Sequence, residues 1–265
     1  MDLLSETAKP LLDTIQPIIS TVADVLTVDD TTALIIVSNL IAILVLFLIL
    51  VCVRNGKSSK KRTIAIAGLS DAGKTRMFCE LVGAHGAESY ASMKENVMDL
   101  VEIGTKTWKL VDVPGSDRIR GMILEKFLPE VRGIIFVIDS CRFTKEAKDV
   151  SEFLYDILSN PATKNLSVLI ACNKQDQGLA KSAKLIRSTL EKEFGLLTQS
   201  RVAALDSTDG SGGKRIVGRS DGFSKTFSFD DLSKRNVSFV ECTAAVLNGQ
   251  KYADMNEIEQ WCNSI

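Results

Sequence analysis

The stretch Gly68-Leu69-Ser70-Asp71-Ala72-Gly73-Lys74-Thr75 spells G-x-x-x-x-G-K-T, and its flanks leave it little structural choice. Thr63-Ile64-Ala65-Ile66-Ala67 before it is a short apolar run suited to a buried strand. Arg76-Met77-Phe78-Cys79-Glu80-Leu81-Val82 after it reads as the start of a helix. Strand, glycine loop and helix in that order are the context in which this motif wraps phosphate groups. Gly68 and Gly73 let the backbone close in, with Asp71 and Ala72 between them, so that several N–H groups converge on one anion. The helix adds its positive dipole end at the same place. Lys74 is placed to reach β- and γ-phosphates, and the Thr75 hydroxyl to ligate Mg²⁺.

From Thr63 onward, strand-like runs alternate with amphipathic helical stretches. The runs are Thr63–Ala67, Val97–Ile103, Trp108–Val113, Gly133–Ile138, Ser167–Cys172 and Val237–Glu241; the helical patterns are Lys74–Val82, Ile119–Leu128, Lys145–Leu158, Ala180–Phe194 and Ala253–Cys262. Such alternation predicts an α/β domain over 63–265, a mostly parallel sheet with helices on both faces. Ligands of such sheets sit at the carboxyl ends of the strands, and the remaining motifs fall there. Asp112-Val113-Pro114-Gly115 gives D-x-P-G, an acid to orient Mg²⁺ and a glycine whose N–H can approach a γ-phosphate. Asn173-Lys174-Gln175-Asp176 gives N-K-x-D. The Asp176 carboxylate can accept from guanine N1–H and N2–H₂, a pair of donors that adenine lacks. Asn173 is expected to brace neighbouring loops and the Lys174 stem to cover the base. Glu241-Cys242-Thr243-Ala244 closes the last strand, with a turn able to offer an N–H to guanine O6. GTP with Mg²⁺ is therefore the expected ligand.

A second feature decides where this happens. Ala33 to Val53 is uncharged, with only Ser38 and Asn39 strongly polar. As a helix it would rise about 31 Å, matching a hydrocarbon core of about 30 Å. A cleaved leader would be shorter, nearer the N-terminus and preceded by bases, so this run predicts a transmembrane helix over 33–53. Arg54, Lys57, Lys60, Lys61 and Arg62 crowd a basic tether at 54–62, while acids precede the run. That bias puts the N-terminus outside the cytosol and the 63–265 domain inside it. Residues 1–32 read either as an amphipathic helix interrupted at Pro17 or as an irregular tail.

Composition removes other options. A net charge of −1 gives no global basic field for nucleic acid. The six cysteines form no C-x-x-C pair, so neither a zinc site nor a disulfide framework is indicated, and a reducing compartment fits. The only histidine, His85, lies in a Gly-containing stretch and reads as a loop residue. A Ser-, Asp- and Gly-rich segment at about 205–236 predicts a long loop, with Phe223, Phe227 and Phe229 adding an edge strand or covering the sheet.

The series G-x-x-x-x-G-K-T, D-x-P-G, N-K-x-D and E-C-T-A resembles the small GTPase superfamily. Within it, the chain resembles the family of beta subunits of the signal recognition particle receptor. The segments Lys148-Asp149-Val150-Ser151-Glu152-Phe153-Leu154-Tyr155, Leu169-Ile170-Ala171-Cys172-Asn173-Lys174-Gln175-Asp176 and Ala180-Lys181-Ser182-Ala183-Lys184-Leu185-Ile186 carry that likeness, as does an anchor ahead of the domain. Small GTPases commonly attach by lipid, but Met1-Asp2 and the last residues carry neither lipid signal. The resemblance implies residence in the endoplasmic reticulum membrane and a GTP-dependent grip on the receptor's alpha subunit. The other reading is a cycling GTP hydrolase of membrane traffic. Two departures favour slow hydrolysis. Ser116 stands where hydrolytic relatives carry Gln or His. The first switch, Ala87-Glu88-Ser89-Tyr90-Ala91-Ser92-Met93, offers Ser89 or Ser92 where relatives place a Thr over Mg²⁺.

Overall fold

The computed structural model describes residues 30–56, 62–84, 94–206, 227–232, 236–244, 246–247, 250–251 and 253–265. The chain divides between Lys60 and Lys61 into two compact units. His85, the first switch with Ser89 and Ser92, Phe223, most of the 205–236 loop and nearly all of the 1–32 tail lie outside the described residues.

In the first unit, helix α1 runs from Asp30 to Gly56, three residues beyond the apolar run at each end. Aliphatic and aromatic side chains stand exposed all round it, among them Ile35, Leu40, Ile43, Leu44 and Phe47. The polar Ser38 and Asn39 both donate to the Ile35 carbonyl, each at 2.9 Å, so the helix satisfies them internally. Among the described residues, no helix is long and apolar enough to cross a membrane. The consecutive side chains described on α1 run only from Ile35 to Ile49, less than the about 20 residues of a span. The ends of the expected 33–53 segment therefore lie outside the described side chains.

The second unit is built on a six-stranded sheet: β1 (Thr63–Gly68), β2 (Asn96–Ile103), β3 (Lys106–Asp112), β4 (Val131–Asp139), β5 (Ser167–Asn173) and β6 (Val237–Glu241). The spatial order is β2-β3-β1-β4-β5-β6, parallel throughout except for β2, which pairs antiparallel with β3. All six residues of β1 are buried because the strand is covered on both faces. Ile64 and Ile66 pack with Met77 and Phe78 of α2 (Lys74–Val82) and with Ile258 and Trp261 of α6 (Asn256–Ser264). Ala65 and Ala67 face the other layer, with Ile123, Leu124 and Phe127 of α3 (Asp117–Phe127), Phe153 and Leu154 of α4 (Phe143–Ser159) and Ile186, Leu190 and Phe194 of α5 (Ala183–Asp206). A continuous apolar run is what a parallel strand between two helical layers requires. A small two-stranded ladder, β7 (Val246–Leu247) with β8 (Gln250–Lys251), precedes α6.

The expected strands and helices are all present, with ends shifted by a few residues. The larger shift is α5, which continues to Asp206 rather than stopping at Phe194. Near the end of the expected 205–236 loop, Phe227 and Phe229 cover the sheet instead of extending it. Phe227 stacks on Phe194 at 4.9 Å, and Phe229 meets Phe194 and Phe239 at 5.2 Å each. Glu191 holds this cover by accepting from the Phe229 N–H and the Ser228 hydroxyl, both at 3.1 Å.

Candidate functional site

Every motif lies at the carboxyl edge of the sheet, as the strand order dictates. The loop 68–73 leaves the end of the central strand and turns into α2 at Gly73. Its φ of 97° is left-handed, and a Cβ there would lie 2.3 Å from Asn173 Nδ2; only glycine fits. Asp71 also adopts a left-handed φ, 62°. Inside the loop, the buried Lys74 ammonium donates to the Leu69 carbonyl at 2.7 Å. Burial pulls Lys74 below the usual lysine range, Asp112 and Asp71 oppose that pull, and Arg120 adds to it. A buried ammonium bonded to a neutral backbone carbonyl is placed to take an anion as a stronger partner.

Beside it, the Thr75 hydroxyl donates to Asp112 Oδ2 at 2.8 Å, and Asn96 Nδ2 donates to the same oxygen at 2.9 Å. Asp112 is fully buried at the end of β3. Among the described residues, no group of three or more His, Cys, Asp or Glu side chains could hold a metal ion. A hydroxyl and one carboxylate suit Mg²⁺ that completes its octahedron with phosphate oxygens and water. Gly115 follows at Asp112-Val113-Pro114-Gly115 and lies hard against the phosphate loop. A Cβ on it would come within 2.5 Å of the Ser70 nitrogen. Ser116 is exposed and makes no side-chain cap to α3.

Asn173 ties the loops together. It is buried at the end of β5, donating through Nδ2 to the Ala72 carbonyl at 2.9 Å and accepting at Oδ1 from the Ala244 N–H at 3.0 Å. One amide thus connects the phosphate loop to the turn after β6. Thr243 exchanges backbone hydrogen bonds with Asp254, at 3.2 and 2.9 Å. The N–H groups of both Thr243 and Ala244 are thereby engaged within the protein. Cys242 lies beneath, its thiol pushed up to about 12 by burial and then by Asp254 and Glu257. It packs as a small apolar group.

Lys174 takes a left-handed φ of 68° and spans the same region, its Nζ donating to the Asp71 carbonyl at 2.9 Å and to Asp139 Oδ2 at 2.6 Å. Asp139 ends β4, and its Oδ1 accepts from the N–H groups of Cys141 and Arg142 at 2.9 and 3.0 Å. Burial alone would raise the Asp139 carboxyl, but the Lys174 hydrogen bond and the Arg142 N–H outweigh it and hold the group below the usual carboxylate range. Gln175 pins the turn, its amide donating to the Ser140 hydroxyl and the Lys181 carbonyl at 3.0 Å each. Asp176, the next residue, is exposed at the outer end of this turn.

Sequence reasoning missed Asp139, Asn96 and Arg76. Arg76 donates from Nε to the Ala244 carbonyl at 3.2 Å and pairs with Glu80 one turn on. The one signal available for Asp139 was its position, an acid at the carboxyl end of a buried strand between two motif-bearing strands. Asn96 and Arg76 carry no such mark. Glu241, the acid of E-C-T-A, accepts from the Ala183 N–H at 2.7 Å and so holds the start of α5.

The family model for the signal recognition particle receptor beta subunit matches residues 59–237. The beta subunit of that receptor from Homo sapiens is 36% identical over 258 residues, covering 95% of this chain and 93% of the human one. A solved structure of the mammalian receptor superposes with a TM-score of 0.63 at 33% identity, covering 77% of this chain and 99% of that one. The GDP- and Mg-bound beta subunit from Chaetomium thermophilum, 22% identical, shares the fold with a TM-score of 0.59 over 76% of this chain and 96% of its own. The phosphate loop, the Thr75–Asp112 pair and the Asn173 brace are thus set in the architecture of known guanine-nucleotide binders, and the chain belongs to the signal recognition particle receptor beta subunit family.

Proposed function

We propose that this chain is a membrane-anchored, GTP-binding subunit of a signal recognition particle receptor. It holds the receptor's alpha subunit at the endoplasmic reticulum membrane for co-translational targeting. The observation that carries this reading is Asn173. By joining Ala72 of the phosphate loop to Ala244 of the last turn, it ties the phosphate side of the site to the base side.

In this reading the N–H groups of Gly68, Asp71, Ala72 and Gly73 cradle the phosphates and Lys74 neutralises them. Thr75 and Asp112 hold Mg²⁺, which offsets phosphate charge. Gly115 meets the terminal phosphate, and its close approach to Ser70 makes it the element that must adjust when that group enters. The Lys174 stem covers the base, Asp176 accepts from the guanine edge, and Thr243 and Ala244 form the wall opposite. Ser116, short and exposed, is poorly suited to orient an attacking water. Nucleotide state then acts by ordering a partner-binding surface rather than by rapid turnover.

The anchor reading is supported by α1, whose apolar side chains stand outward all round and whose Ser38 and Asn39 are satisfied within the helix, as a lipid environment demands. The basic residues from Arg54 to Arg62 support an orientation with the N-terminus in the lumen and the nucleotide domain in the cytosol. The test is affinity of the full chain for the alpha subunit's N-terminal domain, with GTP against GDP bound, together with single-turnover hydrolysis. Tight GTP-dependent binding with slow turnover is expected. Equal affinity in both nucleotide states would overturn GTP-dependent holding of the partner, and fast turnover triggered by the partner would favour a cycling hydrolase.

A further inference from the structure

At the edge of the sheet farthest from β6, strand β2 breaks its own pattern. Val97 pairs with Val111 and Met98 with Leu110, but the next partner of β3 is Val101 with Trp108. Asp99 and Leu100 therefore oppose Lys109 together, a bulge of one extra residue. Leu100 sits at φ 60°, a left-handed conformation uncommon for a residue with a Cβ. It is 81% exposed, and Val97 and Met98 beside it are exposed as well. The bulge borders a hollow of about 430 Å³ lined by residues 80–83, where α2 ends, and 98–102 of β2.

The hollow is lined by both apolar and acidic side chains. Leu81, Val82, Met98 and Val101 supply the apolar part, and the buried Glu80 lines it as well. Asp99 and Glu102 are exposed at the rim, and among the described residues neither has an ion-pair partner. Of the cations on the neighbouring elements, Lys109 pairs with Glu130 at 3.2 Å, Arg76 with Glu80, and Lys106 lies over the Trp108 ring at 6.0 Å. The carbonyl end of α2 points to the same place and adds partial negative charge. Protection against aggregation would account for a bulge and two acids on an edge strand. It does not account for a leucine held outward in a left-handed conformation just after two other exposed apolar residues, Val97 and Met98.

We propose that this slot docks an extended, basic and apolar segment of a partner protein, which pairs with β2, the edge strand of the sheet among the described residues, and places a cationic side chain between Asp99 and Glu102. Charge selects this occupant. A second copy pairing edge to edge would set these acids against their own counterparts, and an anionic membrane surface would be repelled. None of the slot residues belongs to the nucleotide site, so the docking is separable from nucleotide binding.

The test uses the full chain in non-ionic detergent and two fluorescent octapeptides, one alternating lysine with valine and one alternating glutamate with valine. Anisotropy titration at physiological salt is expected to show the lysine peptide binding at least tenfold more tightly. Asp99→Asn/Glu102→Gln and Met98→Ser/Leu100→Ser should each weaken it about tenfold while binding of a fluorescent GTP analogue stays within twofold, which also reports that the variants fold. Leu100→Gly, which suits the left-handed backbone, should keep the fold and still lose affinity. Equal binding of the two peptides, indifference to both double variants, or sedimentation showing self-association abolished by Met98→Ser/Leu100→Ser would overturn the proposal. Loss of GTP binding by the unmodified chain would instead count against the nucleotide reading alone.

Discussion

Replacing Asn173 by alanine should disconnect the nucleotide site without touching a phosphate or a base. The amide is 2% exposed and satisfies two backbone groups that have no access to water, the Ala72 carbonyl and the Ala244 N–H. Leaving a buried polar group unpaired costs about 1–3 kcal/mol, so two such groups suggest about 2–4 kcal/mol once partial relaxation is allowed. Part of that cost falls on folding and part on holding the loops in their binding geometry. If half is charged to binding, about 1–2 kcal/mol, GTP affinity falls by about 5- to 30-fold, since about 1.4 kcal/mol is a factor of ten. The assay pairs titration of a fluorescent GTP analogue with urea unfolding of the same preparation. Asn173→Asp sharpens the comparison, because a carboxylate still accepts from Ala244 but repels the Ala72 carbonyl, and regains a donor only when protonated. Its defect should therefore ease as pH is lowered toward 5. An Asn173→Ala protein with wild-type affinity and an unchanged unfolding midpoint would refute the claim that this amide holds the two loops together.

Other substitutions separate the parts of the site. Asp176→Asn should weaken GTP and improve xanthosine triphosphate binding, because the amide presents a donor to an edge that itself donates; unchanged GTP affinity would remove Asp176 from the base site. Gly73→Ala should lose nucleotide binding, since its Cβ would fall 2.3 Å from Asn173 Nδ2 in a backbone conformation that alanine avoids, and a calorimetric titration matching wild type would refute that reading. For the Asp139–Lys174 pair, the carboxyl is held below its usual range in the fold. Its contribution is thus fully present above the unfolded carboxylate value of about 3.9 and is lost as pH falls through the lower folded value. Urea unfolding of Asp139→Asn against wild type should show a gap that is constant from neutral pH to about pH 5 and closes below about pH 4. A gap that closes near neutrality would exclude the ion pair as its source.

The sheet was legible because its signals are local. Thr63–Ala67, Gly133–Ile138 and Ser167–Cys172 are uninterrupted apolar runs, the mark of strands buried on both faces, and the nucleotide motifs follow strand ends as the topology requires. Helix ends were less legible. The helical pattern reads as ending at Phe194, yet α5 continues to Asp206; past Phe194, Leu197 packs against the core, and Arg201 pairs with Asp156 at 2.9 Å and lies over the Tyr155 ring. No window of sequence around Phe194 contains that information. The bulge at Asp99 and Leu100 escaped for a related reason. Val97 to Ile103 reads as a plain strand, and the extra residue appears only when the run is registered against β3.

The site itself divides along the same line. Residues that would touch the ligand, Lys74, Thr75, Asp112, Gly115, Lys174 and Asp176, were legible because a phosphate loop or a base-reading turn needs particular side chains at fixed spacing. Of the residues that hold them, only Asn173 was legible, because it belongs to the N-K-x-D motif itself. Asn96 shares Asp112 with Thr75, Asp139 anchors Lys174, Gln175 ties the base-reading turn to Ser140 and Lys181, and Arg76 reaches the Ala244 carbonyl. Each of these contacts joins segments that are distant in sequence or fixed only by the local turn, and a different polar side chain could perform the same task from a neighbouring position. Ligand chemistry constrains residue type, whereas support constrains only geometry, so motif reading finds the first group and requires coordinates for the second. Under the proposed function Ser116 also stands in a position where chemistry constrains residue type, so its short, exposed hydroxyl argues for a chain that would hold its nucleotide rather than consume it quickly.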